Sequence, residues 1–230
     1  MAAIAKIIDL RNLLAERFSH PSSTTASCLN TGLPCLEKSI RRGLPRGAIT
    51  ELISPSTSGG SASLIQALLH GAYRDKYFLA LIDGCDSFDP CGLDNAWLRH
   101  LLWVRCSKAS EAVKAADLLL RDGNFPLVIV DLVLNPQEEL RKIPQTNWYR
   151  LQRLVEVLPT ACLVLTRYKM VSSAQLKLVL ENSWDIQTFE SEDALSRLRI
   201  VMKRSHRQPE VTRLRYLATA SQGDQKLAVS

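Results

Sequence analysis

Apolar residues change their spacing several times along this chain, and each change predicts a different kind of element. Ile4, Ile7, Ile8, Leu10, Leu13, Leu14 and Phe18 recur at near-helical intervals, so residues 1–18 read as an amphipathic helix. Residues 19–30, "SHPSSTTASCLN", are small, polar and proline-containing, the composition of a linker. A helix tethered in this way serves either as a flap on its own domain or as a docking element for another chain. Five apolar runs then read as strands: "GAITELI" (47–53), "YFLALID" (77–83), "LLWVR" (101–105), "PLVIVDLV" (126–133) and "ACLVLT" (161–166). Their continuity, rather than alternation, suits strands buried on both faces. Helical spacing separates them in "SLIQALLHGAY" (63–73), "SEAVKAADLLLRDG" (110–123) and "WYRLQRLVEVL" (148–158). In the second of these, Ser110 is the expected N-cap and Gly123 the expected stop.

The order β-α-β-α-β predicts an α/β fold, a mostly parallel sheet with helices on both faces. From about residue 184 the pattern becomes alternating, in "SWDIQTF", "SRLRIVMKR" and "VTRLRYLA". These read as antiparallel strands added at the C-terminal edge of the sheet. The expected organisation is a helix over 1–18, a linker over 19–30, one core domain over 31–218 and a disordered tail over 219–230.

Composition narrows the function classes. Hydrophobic residues make up 46% of the chain, enough for a sizeable core, and no apolar run approaches the roughly 18 residues of a membrane span. The charged N-terminus lacks the unbroken apolar stretch of a signal peptide, which points to the cytoplasm. The six cysteines form no CxxC pair and the four histidines are scattered, so zinc ligation has little support and reduced thiols are expected. A net charge of +6 permits nucleic-acid binding without establishing it.

The segment "SPSTSGGS" sits between a strand and a helix, where a phosphate-binding loop would lie. Such a loop follows G-x-x-x-x-G-K-[ST]: glycines let backbone N–H groups close on phosphate, lysine supplies charge, and the hydroxyl helps hold magnesium. In the frame Ser54, Pro55, Ser56, Thr57, Ser58, Gly59, Gly60, Ser61, the second glycine and the hydroxyl remain. Ser54 replaces the first glycine, Gly60 stands at the lysine, and no lysine or arginine occurs between Gly47 and Tyr73. A cation ~4 Å from a phosphate contributes on the order of 4 kcal/mol at an effective dielectric near 20. Its loss weakens binding by roughly a thousandfold. Alone, the segment reads better as a Ser/Gly-rich turn capping a helix than as a phosphate loop.

The wider context resembles the RecA-like recombinase superfamily. "TGLPCLEKSIRRGLPRGAITELISPSTSGGSASL" is similar to that family's entry into its phosphate loop, where T-G-x-x-x-L-D precedes a G-L-P-x-G turn. "LALIDGCDSFDP" resembles its I-D-A-E-x-x-x-D-P strand end, and "LRHLLWVRCSKASEAVKAADLLLRDGNFPLVIVDLV" its next strand, helix and aspartate-ended strand. The wording "GLPRGAITEL" and the short chain look most like the ImuA branch, also described as SulA-like, which is linked to damage-induced translesion synthesis. The resemblance implies a RecA-like P-loop-type fold. It also implies losses: the family's lysine falls on Gly60 and its catalytic glutamate on Cys85, and a thiol is a poor carboxylate base. The magnesium-associated aspartate would be Asp131, and the adenine-side aspartate Asp89. An aspartate ending a strand also commonly caps a turn, so Asp131 carries both readings. The polar sensor ending the fifth strand would fall near Thr166 or Arg167.

The family's two DNA-holding loops would correspond to residues 134–148 and 167–175. Arg167 and Lys169 flank Tyr168 and could contact a backbone and stack a base. A second basic stretch, 196–216, carries Arg197, Arg199, Lys203, Arg204 and Arg207, with Arg197 and Arg199 expected on one strand face. It suits DNA phosphate, a neighbouring protomer, an acidic partner or a merely solvated edge. Taken together, the expectation is a catalytically degenerate RecA-like accessory protein in DNA repair and damage tolerance. It would use no cofactor, with at most weak ATP and magnesium binding, and would be cytoplasmic or nucleoid-associated. Its partners would be a repair polymerase or RecA, single-stranded DNA, or its own copies, and not a membrane. Two alternatives stand beside it: a divergent DNA-dependent ATPase completed by a neighbouring subunit, and a regulatory protein that never touches DNA.

Overall fold

The computed structural model describes residues 28–40, 43–56, 59–182 and 198–205. The predicted helix over 1–18, most of the linker and the tail lie outside these residues, as do Thr57, Ser58, Arg197 and Arg207.

Seven strands form one sheet: β3 (Ala48–Ile53), β4 (Leu79–Asp83), β5 (Leu101–Arg105), β6 (Leu127–Asp131), β7 (Ala161–Thr166), β8 (Leu176–Leu180) and β9 (Ile200–Ser205). Their spatial order is β5-β4-β6-β7-β3-β8-β9, with every pair parallel except β8 with β9. A small antiparallel pair, β1 (Cys28–Leu29) with β2 (Leu44–Pro45), flanks a short helix α1 (Pro34–Ile40). The longer helices are α2 (Ser61–Arg74), α4 (Ala109–Asp122) and α6 (Gln145–Glu156), and the short ones are α3 (Asn95–Leu98) and α5 (Gln137–Arg141).

Strand alternation divides the core into two layers. Leu79 and Leu81, Leu127 and Ile129, and Leu163 and Leu165 point to the face covered by α1 and α2, where Leu36, Leu64 and Leu68 meet them. Ala80 and Ile82, Val128 and Val130, and Cys162 and Val164 point to the other face, covered by α4 and α6 through Ala116, Leu120, Trp148 and Leu151. Both faces are apolar because both are covered, which is why these strands read as unbroken hydrophobic runs.

Several expectations are corrected. Helix α4 is capped at Lys108 and not Ser110: the Glu111 carboxylate reaches back to accept from Ser107 N at 3.1 Å, which draws the first turn two residues earlier. Its stop is as predicted, with Gly123 left-handed at φ 71°. Residues 134–148 are not an open loop; they fold into α5 and the first turn of α6. The expected loop 167–175 is a short connection into β8, a strand the apolar pattern did not announce. One antiparallel strand, β9, is described at the C-terminal edge, and it begins at Ile200, so Arg199 precedes it. The segments 183–197 and 206–218 fall outside the described residues.

Candidate functional site

The carboxyl ends of β3, β4, β6 and β7 converge on one edge of the sheet, where ligands of open α/β folds bind. Residues 54–61 bridge β3 to the leading end of α2. Ser54 N donates to Thr166 O at 2.8 Å, which ties the start of this segment to the end of β7. Beyond that point the segment turns in on itself. The Ser54 hydroxyl, fully buried, donates to Ser56 O at 3.1 Å, and Gly59 N donates to the same carbonyl at 3.2 Å. A Cβ added to Gly59 would lie 2.5 Å from Ser54 Oγ and 3.0 Å from Ser56 O. A phosphate loop keeps its N–H groups for the anion and holds no acceptor in their midst. Here Gly59 N–H is already used and a carbonyl occupies the turn. Gly60 caps α2 in the left-handed region at φ 85° with no side-chain cap, and Ser61 is buried.

The described part of the loop, 54–56 and 59–61, carries no cation, and both Ser54 Oγ and Gly59 N are bonded to Ser56 O. Among the described residues, Arg167 is brought to the loop by the fold: its Nε lies 3.5 Å from Pro55 O. It arrives at the end of β7, which register places beside Ile53. Thr166, the other expected sensor position, is fully buried, and its hydroxyl has no hydrogen-bond partner among the described residues.

The two strand-ending carboxylates are register partners on β4 and β6, Asp83 beside Asp131. Asp83 is buried and caps the following turn, accepting from Phe88 N at 2.7 Å and from Cys85 N and Ser87 Oγ at 3.3 Å each. Asp131 accepts from Val133 N at 3.0 Å, the turn-capping geometry. Desolvation pushes its carboxyl up to about 6; the Val133 bond opposes this, and the Asp83 carboxylate adds to it. Cys85 is exposed, and its thiol is pushed above its ordinary value by desolvation and then by Asp83, Glu139 and Asp131, so it stays protonated. Asp89 is exposed and caps a turn through Cys91 N at 2.8 Å, which lowers its pKa.

Asn135 is a residue the sequence did not single out. Its Nδ2 donates to Gly84 O at 2.7 Å, and a Cβ on Gly84 would lie only 2.4 Å from its Oδ1. Asn135 therefore fills the gap between the ends of β4 and β6. The only sequence signal was an Asn-Pro pair, which reads simply as a turn.

The basic residues separate into unlike groups. Lys203 pairs with Glu181 at 3.0 Å, and Arg199 reaches the same carboxylate at 3.7 Å. That part of the basic stretch is partly neutralised. Arg204 aligns with Lys177 across the β8–β9 ladder. Lys169 and Tyr168 are exposed at the mouth of a cleft of about 430 Å3 between the α5–α6 corner and the β7–β8 connection. Beneath it lies an ion pair invisible in sequence, Glu51 with Lys177, both buried and adjacent across β3 and β8. Glu51 Oε1 also accepts from Met170 N at 2.7 Å and Val171 N at 2.8 Å, which fixes the β7–β8 connection. Among the described residues no group of three or more His, Cys, Asp or Glu could hold a metal, and no helix is long and apolar enough to cross a membrane.

No family model matches the chain. Curated relatives do match it in part. "Protein RecA" of Chlorobaculum tepidum is 30% identical over 120 residues, 49% of this chain and 34% of the relative. "Protein RecA" of Clavibacter michiganensis is 33% identical over 105 residues, 43% and 28% of the two chains, and that of Acinetobacter baumannii 31% over 105 residues, 43% and 29%. The matched region thus spans about a third of the length of these relatives. Together with the mostly parallel seven-stranded sheet flanked by helices, this identifies a RecA-like relationship and a RecA-like α/β fold.

Proposed function

We propose that this protein is a catalytically silent RecA-like accessory factor in DNA repair, acting as a docking platform and not as a motor. The observation that carries the reading is the inward-turned segment at β3–α2: Ser54 Oγ and Gly59 N both bond to Ser56 O, and Gly60 stands where the lysine would be. Cys85 at the position of the base adds a second, independent loss. A chain that keeps the sheet and its two packed layers while giving up the charges of its cradle is suited to presenting surfaces. Damage tolerance by translesion synthesis is the setting the resemblance to the ImuA branch favours, with a polymerase-type protein or RecA as the partner.

Two measurements test this. The purified protein should hydrolyse no ATP above background, with or without single-stranded DNA. In cells lacking the gene, damage-induced mutation should fall, and the Asp131→Asn variant should restore it as well as the wild type does. DNA-stimulated hydrolysis that disappears in Asp131→Asn would remove the reading.

One observation favours a second reading. Arg167 brings a guanidinium to the loop at Pro55 O, so a cation is supplied from elsewhere in the fold. A divergent ATPase would use it, and would then lose nucleotide affinity on Arg167→Ala. Calorimetry at millimolar ATP separates the two.

A further inference from the structure

The cleft beside the β7–β8 connection has a definite chemistry. Its walls carry an apolar stripe, Leu140 and Ile143 on one side and Met170 on the other, set among the polar Gln137, Gln145 and Ser172. Its rim carries Arg141 and Lys169, both exposed, and neither has an ion-pair or hydrogen-bond partner among the described residues. Among the described residues no carboxylate lines it. Lys177 reaches it from below, but that ammonium is already engaged by Glu51 and the Val171 carbonyl. The rim cations are therefore the ones left for a ligand.

The shape is fixed in advance. Ser172 Oγ donates to Gln145 Oε1 at 2.6 Å, and Gln145 Nε2 lies 3.4 Å from Met170 O, which stitches the two walls together. Glu51 holds the backbone of Met170 and Val171 from behind. A ligand entering such a site does not have to order it, so less of the contact energy is lost to freezing loops.

The lining discriminates between anionic ligands. A single-stranded nucleic acid wants a row of aromatic faces on which successive bases stack. The cleft offers one, Tyr168, beside an apolar stripe of Leu140, Ile143 and Met170. An aliphatic or aromatic side chain flanked by carboxylates matches both features: the side chain enters between Leu140, Ile143 and Met170, and the carboxylates meet Arg141 and Lys169. Resting on the docking-platform reading and making it more specific, we propose that this cleft binds a short acidic peptide segment of a partner protein through one apolar anchor residue.

The test is fluorescence anisotropy on the full chain at 150 mM salt, on the order of physiological ionic strength. The probe is a fluorescein-labelled decapeptide with two central leucines between aspartates and glutamates. Saturable binding is expected, weakened at least tenfold by Arg141→Glu or Lys169→Glu and retained by Arg141→Lys. Replacing the probe's leucines with serine should weaken it by a similar factor, an effect that charge attraction alone would not produce. Because both rim side chains are exposed and unpaired, these variants should melt as the wild type does. Oligothymidylate of twenty nucleotides serves as competitor. If it displaces the peptide with higher affinity and the same charge reversals weaken it, the face belongs to nucleic acid and the proposal is overturned. Absent saturable binding, or binding indifferent to the leucines, also overturns it. Such a failure would leave the silent-ATPase reading standing, because that reading depends on ATP hydrolysis and not on this peptide.

Discussion

Gly84 and Asp131 show how single atoms decide what the strand ends can do. In the related strand-end pattern I-D-A-E an alanine follows the aspartate; here Gly84 does, because Asn135 occupies the space. A Cβ at Gly84 would lie 2.4 Å from Asn135 Oδ1, 2.7 Å from Leu132 Cδ2 and 2.8 Å from Asp131 O. Gly84→Ala should therefore destabilise the fold by about 1–3 kcal/mol, read from urea denaturation, since the clash involves backbone as well as side chain. Pairing it with Asn135→Ala should recover part of that loss. Asp131 carries a pH signature. Its folded pKa, about 6, is raised above the ordinary carboxylate value, so the folded protein holds this proton more tightly than the unfolded chain. Stability from this group is greatest below the unfolded pKa and declines as pH rises towards 6, a cost of about 2–3 kcal/mol at neutral pH. Asp131→Asn keeps an acceptor for Val133 N. It should raise stability by about 2 kcal/mol at pH 8 and leave it unchanged at pH 4. Denaturation curves at the two pH values check the sign.

At the scale of elements, the most informative pair is β3 with β8. Glu51 faces Lys177 across this parallel ladder, on the sheet face covered by α6. The ion pair costs desolvation on both sides and is held by three further hydrogen bonds to the Met170–Val171 backbone. Glu51→Ala would strand a buried ammonium and two buried backbone groups. It should cost about 3–5 kcal/mol in thermal or chemical melts, whereas Glu51→Leu with Lys177→Met should recover most of it. These residues also explain which elements were legible. Strands β4, β6 and β7 announced themselves because burial on both faces demands unbroken apolar runs. Strand β8, "LKLVL", contains a lysine that in isolation reads as solvent-facing, and only its partner Glu51, 126 residues earlier in the chain, makes it buriable. The Asn-Pro at 135–136 reads as a loop start for the same kind of reason: α5 and α6 take shape against Ile143, Trp148 and the sheet, and that packing is not local.

At the scale of the whole molecule, the described residues form a sheet covered on both faces, with the carboxyl ends of its parallel strands gathered at one edge. A ligand that binds only the folded state stabilises it by about 2.7 kcal/mol at a hundred times its dissociation constant. For a silent cradle, 5 mM magnesium-ATP, taken as roughly a hundredfold over a working site of such a fold, should leave the melting temperature unmoved. A rise of several degrees would count against the docking reading, because a stability gain of that order shifts a domain of this size by about 2–4 °C per kcal/mol. The acidic decapeptide, by contrast, should raise it in proportion to its affinity.

The residues alone determined the buried strands β3, β4, β6 and β7 and the long helices between them, the position of residues 54–61 between a strand and a helix, and the absence of lysine from that segment. These are properties of apolar spacing and of residue identity, which local chemistry records. Only the tertiary structure decided that Ser54, Ser56 and Gly59 bond among themselves, that Asn135 fills the space beside Gly84, and that Glu51 meets Lys177. The last two depend on which strand lies next to which, and the first on a local turn that closes where Ser54 N is tied to the end of β7. The physical reason is that side chains far apart in sequence acquire their partners, and their cost of burial, only once the sheet has set its order.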